Sequence, residues 1–448
     1  SPISPRPGSP RRYWKARLLK PMGALPSLSM APMSLSAWLE RLQSQHPAEI
    51  ELGLDRVSAV ADKLGLLASP PTTLTVAGTN GKGSVVTVLS AALVHSGKRV
   101  GRYTSPHLNR FNERICIDDL EIQDTELIAA FEAIEEASAS ISLTYFEVAT
   151  LAALWIFRER DVDVQVLEVG LGGRLDAVNI IDADLSVVTS IGLDHTDWLG
   201  DSRELIAIEK AGVARPGQPC VVADPDPPHS LLSTLDAQGA QTSLINRDWA
   251  VVEDEMQTAS HQRYQLPGNT GLLPVNMAAA IQALELSGLV TVDQSLVDHL
   301  ASVSLTGRLS RMQTEHYELL LDVAHNVESV SQLAQFLKDH PVSGKTVAVF
   351  GVMGDKPIRD MLSLCETAFD EWNLIDLCHV PRAMSTDRLA EFLEPMGAAI
   401  NYGPFPDLWQ SLMTRVTTGD RIVVFGSFFS VGEATAYLSA HQHDGEQN

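Results

Sequence analysis

Val76-Ala77-Gly78-Thr79-Asn80-Gly81-Lys82-Gly83-Ser84 is the stretch that decides the fold of this chain. An apolar run, Leu74 to Ala77, enters a glycine-rich turn, and a stretch of helical character, Ser84 to His95, leaves it. A strand turning into a helix in this way aims free N–H groups and the positive end of the helix dipole at the turn, and phosphate satisfies both. Lys82 adds a full charge for the outer phosphates, so the loop reads as a cradle for ATP. Against the pattern GxxxxGK[ST], position 76 is Val and Gly83 separates Lys82 from Ser84. A glycine-rich turn without a ligand is the competing reading of the loop taken alone.

Outward from the loop, strands alternate with helices. Arg99 to Tyr103, Val162 to Val169 and Leu185 to Ile191 read as strands, and Phe146 to Phe157 reads as a helix. Alternation of this kind predicts an α/β fold with a mainly parallel sheet covered by helices, whose ligands gather at the carboxyl ends of the strands. A second series begins after Arg308, with strands at Glu318 to Val323, Lys345 to Phe350, Trp372 to Leu377 and Arg421 to Phe425, enough for a smaller α/β domain. The expected division is an extension over 1–33, an ATP-binding domain over 34–303, a second domain over 304–440 and a tail over 441–448. The linker falls in Val303 to Arg311.

Bulk composition fits this division. The chain has 448 residues, 45% of them hydrophobic and 20% charged, too long for one ordinary core. No apolar run approaches the roughly 18–20 residues of a membrane span, so no membrane partner is expected. Thirty-three basic against 56 acidic residues give a net charge of −23, which argues against a sequence-independent grip on nucleic acid. Cys116, Cys220, Cys365 and Cys378 lack CxxC spacing and suggest neither a disulfide framework nor a zinc site, as in a reducing cytoplasm. The first 30 or so residues are Pro-rich and basic, without a secretory h-region, and have too little periodic apolar content to pack.

Several strand ends carry oxygen and nitrogen donors of the kind a magnesium nucleotide needs. Glu168 ends an apolar strand and precedes Gly170, Gly172 and Gly173, whose bare backbone lets a substrate approach. His195 follows the next strand, and Ser105 follows Tyr103-Thr104; singly, each reads equally well as a capping or turn residue. Asp322, His325 and Asn326 end a strand of the second domain, and one site built from both domains would explain them.

Together these motifs carry a resemblance. GTNGKGS, TSPHL, LTYFE, LEVGLGGRLDA, TSIGLDHTDWLG, IEKAG and LDVAHN occur in this order, and from about Ile50 to Val431 the chain resembles the bifunctional dihydrofolate synthase and folylpolyglutamate synthase family. That family is a folate branch of the Mur ligase superfamily. The resemblance implies a P-loop-containing, Mur-ligase-like central domain and a Rossmann-like glutamate-ligase C-terminal domain. It also implies ATP-dependent amide formation: the folate precursor's carboxylate attacks the γ-phosphate, and the amine of glutamate displaces phosphate from the acyl phosphate. Positioning and cations that neutralise the transferring phosphoryl group then carry catalysis.

By the family pattern Gly78, Thr79, Asn80, Gly81, Lys82, Gly83 and Ser84 hold the phosphates, while Asn276, Arg308 and Asp322 contact the nucleotide. Ser105, Glu168 and His195 hold magnesium, with two sites expected and room for a monovalent cation. Lys210, in Ile208-Glu209-Lys210-Ala211-Gly212, matches the lysine the family carbamylates into an anionic metal ligand. The folate side draws on Glu51, Leu52 and Gly53, on Thr144, Tyr145, Phe146 and Glu147, and on Leu175, Asp176 and Ala177. A flat pterin suits the face of Phe146, and its N–H groups suit Asp176. Lys82, Lys210 and His325 are the implied catalytic residues, and Arg382 and Ser427 the candidates for the incoming glutamate.

The chain departs from the pattern at Val327, where proline often follows LDVAHN, and at Val178, where relatives read LDATN. Dihydropteroate, reduced folates, L-glutamate and ATP are the expected partners of a cytoplasmic monomer. The competing readings are an enzyme restricted to polyglutamate extension, a cell-wall Mur ligase, which LTYFE and TSPHL disfavour, and a non-catalytic nucleotide-binding module.

Overall fold

A computed structural model describes residues 33–441 apart from Pro47, Glu49, Asn269 and Ala398. The expected N-terminal extension and C-terminal tail, except Met33 and His441, lie outside the described residues. Eight strands build the first sheet: β1 (Thr72–Ala77), β2 (Val100–Tyr103), β3 (Ile115–Ile117), β4 (Leu120–Glu121), β5 (Val164–Glu168), β6 (Leu185–Val188), β7 (Pro219–Val222) and β8 (Gln241–Leu244). Their order is β4-β3-β2-β5-β1-β6-β7-β8, antiparallel only among β2, β3 and β4. β5 (VQVLE) and β6 (LSVV) are buried at every residue rather than at alternate ones, as parallel strands covered on both faces are.

β1 pairs with β5 on one side and β6 on the other, in the register Val76↔Glu168 and Ala77↔Val188. The phosphate loop, Glu168 and the turn after β6 therefore leave the sheet side by side. The helix Lys82–His95 is apolar nearly all round and buried along most of its length between the sheet and the helix Pro274–Ser287. Val85, Leu89, Met277, Ile281 and Leu284 fill that layer, while Trp38, Phe131, Leu151 and Phe157 fill the opposite one.

A small antiparallel sheet, β9 (Ala250–Val252), β10 (Glu255–Gln257) and β11 (Arg263–Gln265), follows. The third sheet comprises β12 (Ser310–Gln313), β13 (Tyr317–Leu321), β14 (Thr346–Phe350), β15 (Glu371–Ile375), β16 (Ala399–Gly403) and β17 (Asp420–Phe425), in the order β12-β13-β17-β14-β15-β16. Only β12 runs antiparallel. Its core gathers Leu320, Val330, Phe350, Trp372 and Phe425. Among the described residues no helix is long and apolar enough to cross a membrane.

The differences from the sequence-based boundaries have local causes. The first helix starts at Lys82, two residues before the expected Ser84, because Gly81 (φ +86°) is its left-handed cap and the chain is helical from the next residue. The strand expected to reach Ile191 stops at Val188, where Thr189 and Ser190 turn toward the phosphate loop. The helix expected to begin at Phe146 begins at Tyr145, since Thr144 and Glu147 form a reciprocal cap. β3, β4, β7, β8, β9, β10, β11, β12 and β16 were not expected; at two to five residues each, they are too short for a clear periodic signal.

Candidate active site

The phosphate loop is fastened before any ligand arrives. Thr79 N–H donates to the Ser190 carbonyl at 2.7 Å, the Thr189 hydroxyl donates to the Asn80 carbonyl at 2.6 Å, and Gly192 N–H donates to the Thr79 hydroxyl at 2.9 Å. No side chain caps the helix at Gly81, which leaves its first N–H groups for an anion. Gly78 has φ +148°, and a Cβ there would lie 1.7 Å from Thr189 Oγ1. Gly78→Ala is therefore expected to displace Thr189 and lower the melting temperature through about 1–3 kcal/mol of overpacking, and to weaken ADP binding about tenfold. A thermal melt together with an ADP titration checks both; unchanged values would show that the loop tolerates the methyl group.

Lys82 Nζ donates to the carbonyls of Gly78 (3.0 Å) and Thr79 (3.3 Å). Burial lowers its pKa, and the charge of Glu168 works against that shift. Glu168 is buried and its pKa is raised by burial, opposed by Lys82 and by the Ser105 N–H, which donates to Oε2 at 3.1 Å. Ser105 and Glu168 are thus adjacent, and a Cβ on Gly83 would stand 3.7 Å from both Glu168 oxygens. His195 caps a short helix, and burial takes its pKa down to about 4, leaving a neutral imidazole near physiological pH.

Lys210 is 4% exposed, and its Nζ donates to the Gly78 carbonyl at 2.9 Å. Burial, then the neighbouring Lys82 charge, brings its pKa down to about 7. Gly173 packs against this helix so closely that a Cβ would sit 2.7 Å from the Glu209 carbonyl, which explains the bare backbone of the GLGG segment.

The second domain meets the loop directly. Asn326 Nδ2 donates to Asn80 Oδ1 at 2.9 Å, and Asn80 Nδ2 donates to Glu328 Oε2 at 2.9 Å. A cavity of about 380 Å³ lies at this junction, within the range of ligand sites. Asn80, Gly81, Ser84 and Asn276 line it from the first domain, Arg308 from the linker and Asp322 from beyond it. Burial raises the pKa of Asp322, opposed by Arg308; its oxygens accept from Leu309 N–H (2.9 Å) and Ala324 N–H (2.7 Å). His325 Nδ1 is 2.8 Å from the Val323 carbonyl and Nε2 is 3.4 Å from Asp194 Oδ2.

On the folate side, contacts connect the separate segments. Arg56 bridges Glu51 and Glu147, reaching the latter at 3.0 Å, and so ties the Glu51-Leu52-Gly53 segment to the start of the helix Tyr145–Glu159. The Phe146 ring lies on Gly170, where a Cβ would meet it at 2.5 Å. Asp176 accepts from the N–H groups of Gly170 (3.0 Å), Leu171 (2.9 Å) and Val178 (3.0 Å), and burial raises its pKa to about 6. Leu175 is half-buried and Ala177 buried beside it.

Thr144 and Glu147 spend polar atoms on capping their helix. Ser427 does so at the helix Phe428–His441, accepting from Ser430 N–H at 3.0 Å. Arg382 is exposed, and its carbonyl accepts from Gly354 N–H at 2.7 Å.

Four charged residues at the site were missed in the sequence. Asp194 and Lys356 pair across the domains at 2.7 Å, Glu328 touches Asn80, and Arg114 is 8% exposed with its guanidinium 5.5 Å from the Tyr145 ring. Asp194 lies inside TSIGLDHTDWLG, Glu328 two residues after LDVAHN and Arg114 six residues after TSPHL, so a scan for charges in and after these motifs would have found them. Lys356 leaves no comparable trace.

Comparison with known proteins agrees with this geometry. The family model described as the Mur ligase glutamate ligase domain matches residues 307–428. The dihydrofolate synthase/folylpolyglutamate synthase of Escherichia coli (strain K12) is 38% identical over 93% of this chain and 98% of its own. The Haemophilus influenzae protein of the same name is 36% identical over 91% and 98%. Among solved structures, E. coli FolC in complex with DHPP and ADP superposes with a TM-score of 0.87 at 38% identity, covering 92% of this chain and 99% of that one. The Yersinia pestis bifunctional enzyme superposes with a TM-score of 0.84 at 40% identity, covering 91% and 98%. A bifunctional enzyme with Mn, AMPPNP and L-glutamate bound has the same TM-score and identity. With identity at this level across more than nine-tenths of its length, the chain belongs to the dihydrofolate synthase/folylpolyglutamate synthase family, a branch of the ATP-dependent Mur ligases.

Proposed function

We infer that this protein joins L-glutamate to dihydropteroate to form dihydrofolate, and extends reduced folates through γ-glutamyl links, with ATP converting the acceptor carboxylate to an acyl phosphate. The observation that carries this reading is the cavity between the domains, which Asn80, Gly81 and Ser84 at the uncapped helix end line together with Arg308 and Asp322. A carboxylate resists an amine because oxide is a poor leaving group. Phosphate leaves readily, so the protein's task is to hold three reactants in line and keep water out. Lys82 and the helix N–H groups neutralise charge on the phosphates, Arg308 and Asn276 hold the nucleotide, and Phe146 offers a face to the pterin. Arg114, beside Tyr145, suits the carboxylate of the folate precursor. His325, with Arg382 and Ser427, stands for the glutamate side.

The donors fit a hard divalent cation: Glu168 is a carboxylate, His195 a neutral imidazole and Ser105 a hydroxyl, with carbamylated Lys210 as an anionic fourth. Among the described residues no three His, Cys, Asp or Glu side chains are grouped so as to hold a metal ion. Mg²⁺ at two positions, with a monovalent cation nearby, would supply charge neutralisation during phosphoryl transfer.

The greater similarity to the bifunctional enzymes of Escherichia coli and Haemophilus influenzae than to the folylpolyglutamate synthase of Lacticaseibacillus casei, 31% identical over 79% of this chain, favours both activities over extension alone. A monomer in the cytoplasm is the expected setting, supported by four unpaired cysteines. Incubating the pure protein with ATP, Mg²⁺, glutamate and dihydropteroate is expected to give dihydrofolate, ADP and phosphate in equal amounts. Polyglutamate extension without dihydrofolate formation would leave the narrower enzyme, and no product with either acceptor would end the ligase reading.

A further inference from the structure

The contacts between the two domains are not evenly shared. Asp194, on the turn after β6, places Oδ1 2.7 Å from Lys356 Nζ, and Oδ2 3.4 Å from both His325 Nε2 and Asn326 Nδ2. All three partners belong to the second domain. The Asp194 and Lys356 side chains are only 10% and 8% exposed, so this pair is shielded from solvent and salt. The same carboxylate accepts from the N–H of His195 at 2.9 Å, which fixes the turn that carries the candidate metal ligand. Asn326, the neighbour of His325, also clamps the Asn80 amide of the phosphate loop. One carboxylate therefore stands between the phosphate loop, His195 and the face of the second domain that holds His325 and Lys356.

We propose that Asp194 is a positioning residue that latches the second domain shut between the two chemical steps, so that the acyl phosphate meets glutamate rather than water. The inference rests on the ligase reading above. In the coupled reaction the amine nitrogen forms the new bond to the acyl carbon, phosphate leaves with the C–O bonding pair, and the amine releases a proton. In the failure mode water supplies the oxygen instead: the acyl phosphate returns to the free carboxylate and phosphate, and ATP has been hydrolysed with nothing ligated. A latch matters to the ratio of these outcomes. A side chain that only supports the fold would alter the amount of active protein and leave the ratio alone. Removing one member of the shielded pair takes from the other its nearest opposite charge, leaving Lys356 with Asp355 at 3.7 Å and Asp194 with His325 at 3.4 Å, so either half of the pair opens the latch.

The test uses the full chain with Asp194→Asn, Lys356→Met and the double variant, measuring phosphate released per dihydrofolate formed at saturating ATP and glutamate. The unmodified protein is expected to release about one phosphate per product. Each single variant is expected to release at least about twice that, with turnover to product down about tenfold or more and ADP affinity within about threefold of normal. The double variant should be no worse than the poorer single one, because the same contact is lost in each. Variants that keep the one-to-one ratio, or single defects that multiply in the double variant, overturn the latch. Should Asp194→Asn fail to fold, Lys356→Met and Asp194→Glu carry the same ratio test, with Asp194→Glu expected to recover part of the coupling. An unmodified protein that releases phosphate without product overturns the ligase reading, and the latch with it; a coupled protein with equally coupled variants overturns the latch alone.

Discussion

Lys82→Ala is expected to lower kcat for glutamate ligation about a thousandfold while the protein stays folded. The ammonium sits at an uncapped helix end, half-buried, and among the described residues it donates to the carbonyls of Gly78 and Thr79. Those bonds are expendable for the fold, because the loop is independently fastened to Thr189, Ser190 and Gly192. The charge is needed when the transferring phosphoryl group spreads negative charge over its oxygens. A donor acting at that moment is worth about 2.7–4 kcal/mol, or 10²–10³ in rate, and a full charge belongs at the upper end. Binding of ATP should weaken much less than kcat falls, since the helix N–H groups remain. Steady-state kinetics beside a thermal melt decide the matter: a melting temperature no lower than normal with near-normal kcat would remove Lys82 from the chemistry.

Lys210→Ala carries the second large effect, a loss of about a hundredfold that short carboxylic acids such as formate or acetate partly restore. In the fold the amine has its pKa lowered to about 7 by burial, so above that pH it is mostly the neutral nucleophile that carbon dioxide requires. The sign follows: with bicarbonate limiting, activity should rise as pH climbs through about 7 and fall as the amine is protonated below it. Unmodified Lys210 also binds fewer protons in the folded than in the unfolded chain between about 7 and its ordinary value of 10.5, so its contribution to stability grows with pH across that window. Turnover of the alanine variant with and without added acid, and activity against bicarbonate at two pH values, test this. Full activity in the alanine variant, or no response to either additive, would make Lys210 a buried structural amine.

Much of the site could be read from the sequence because this kind of sheet concentrates function in a few predictable places. Gly78 to Ser84, Ser105, Glu168 and His195 lie at strand ends or in the turns that follow them, and strands β2, β5, β1 and β6 stand next to one another. Asp322 and His325 were legible by the same rule in the second domain. The pair Asp194 and Lys356 was not, because 162 residues separate its halves and no spacing rule spans such a gap. Glu328 escaped for another reason: it reaches Asn80 past Gly192, where a Cβ would stand 2.6 Å from its carboxylate, and that opening exists only once two distant turns meet. Thr144, Glu147 and Ser427 illustrate the limit of motifs. Capping a helix and touching a ligand call for the same polar side chains at the same helix starts, so sequence patterns do not separate them.

The walls of the nucleotide cavity come from both sides of a joint, with Asn80, Ser84 and Asn276 on one and Arg308 and Asp322 on the other. A molecule bound there acts as a strain gauge for the hinge. A substitution that makes the halves splay, however remote from the phosphate loop, registers as weaker nucleotide affinity by the work needed to bring the halves together again, which for the latch pair alone amounts to no more than about threefold. Conversely, a compound wedged into the hinge would compete with ATP while touching none of its atoms.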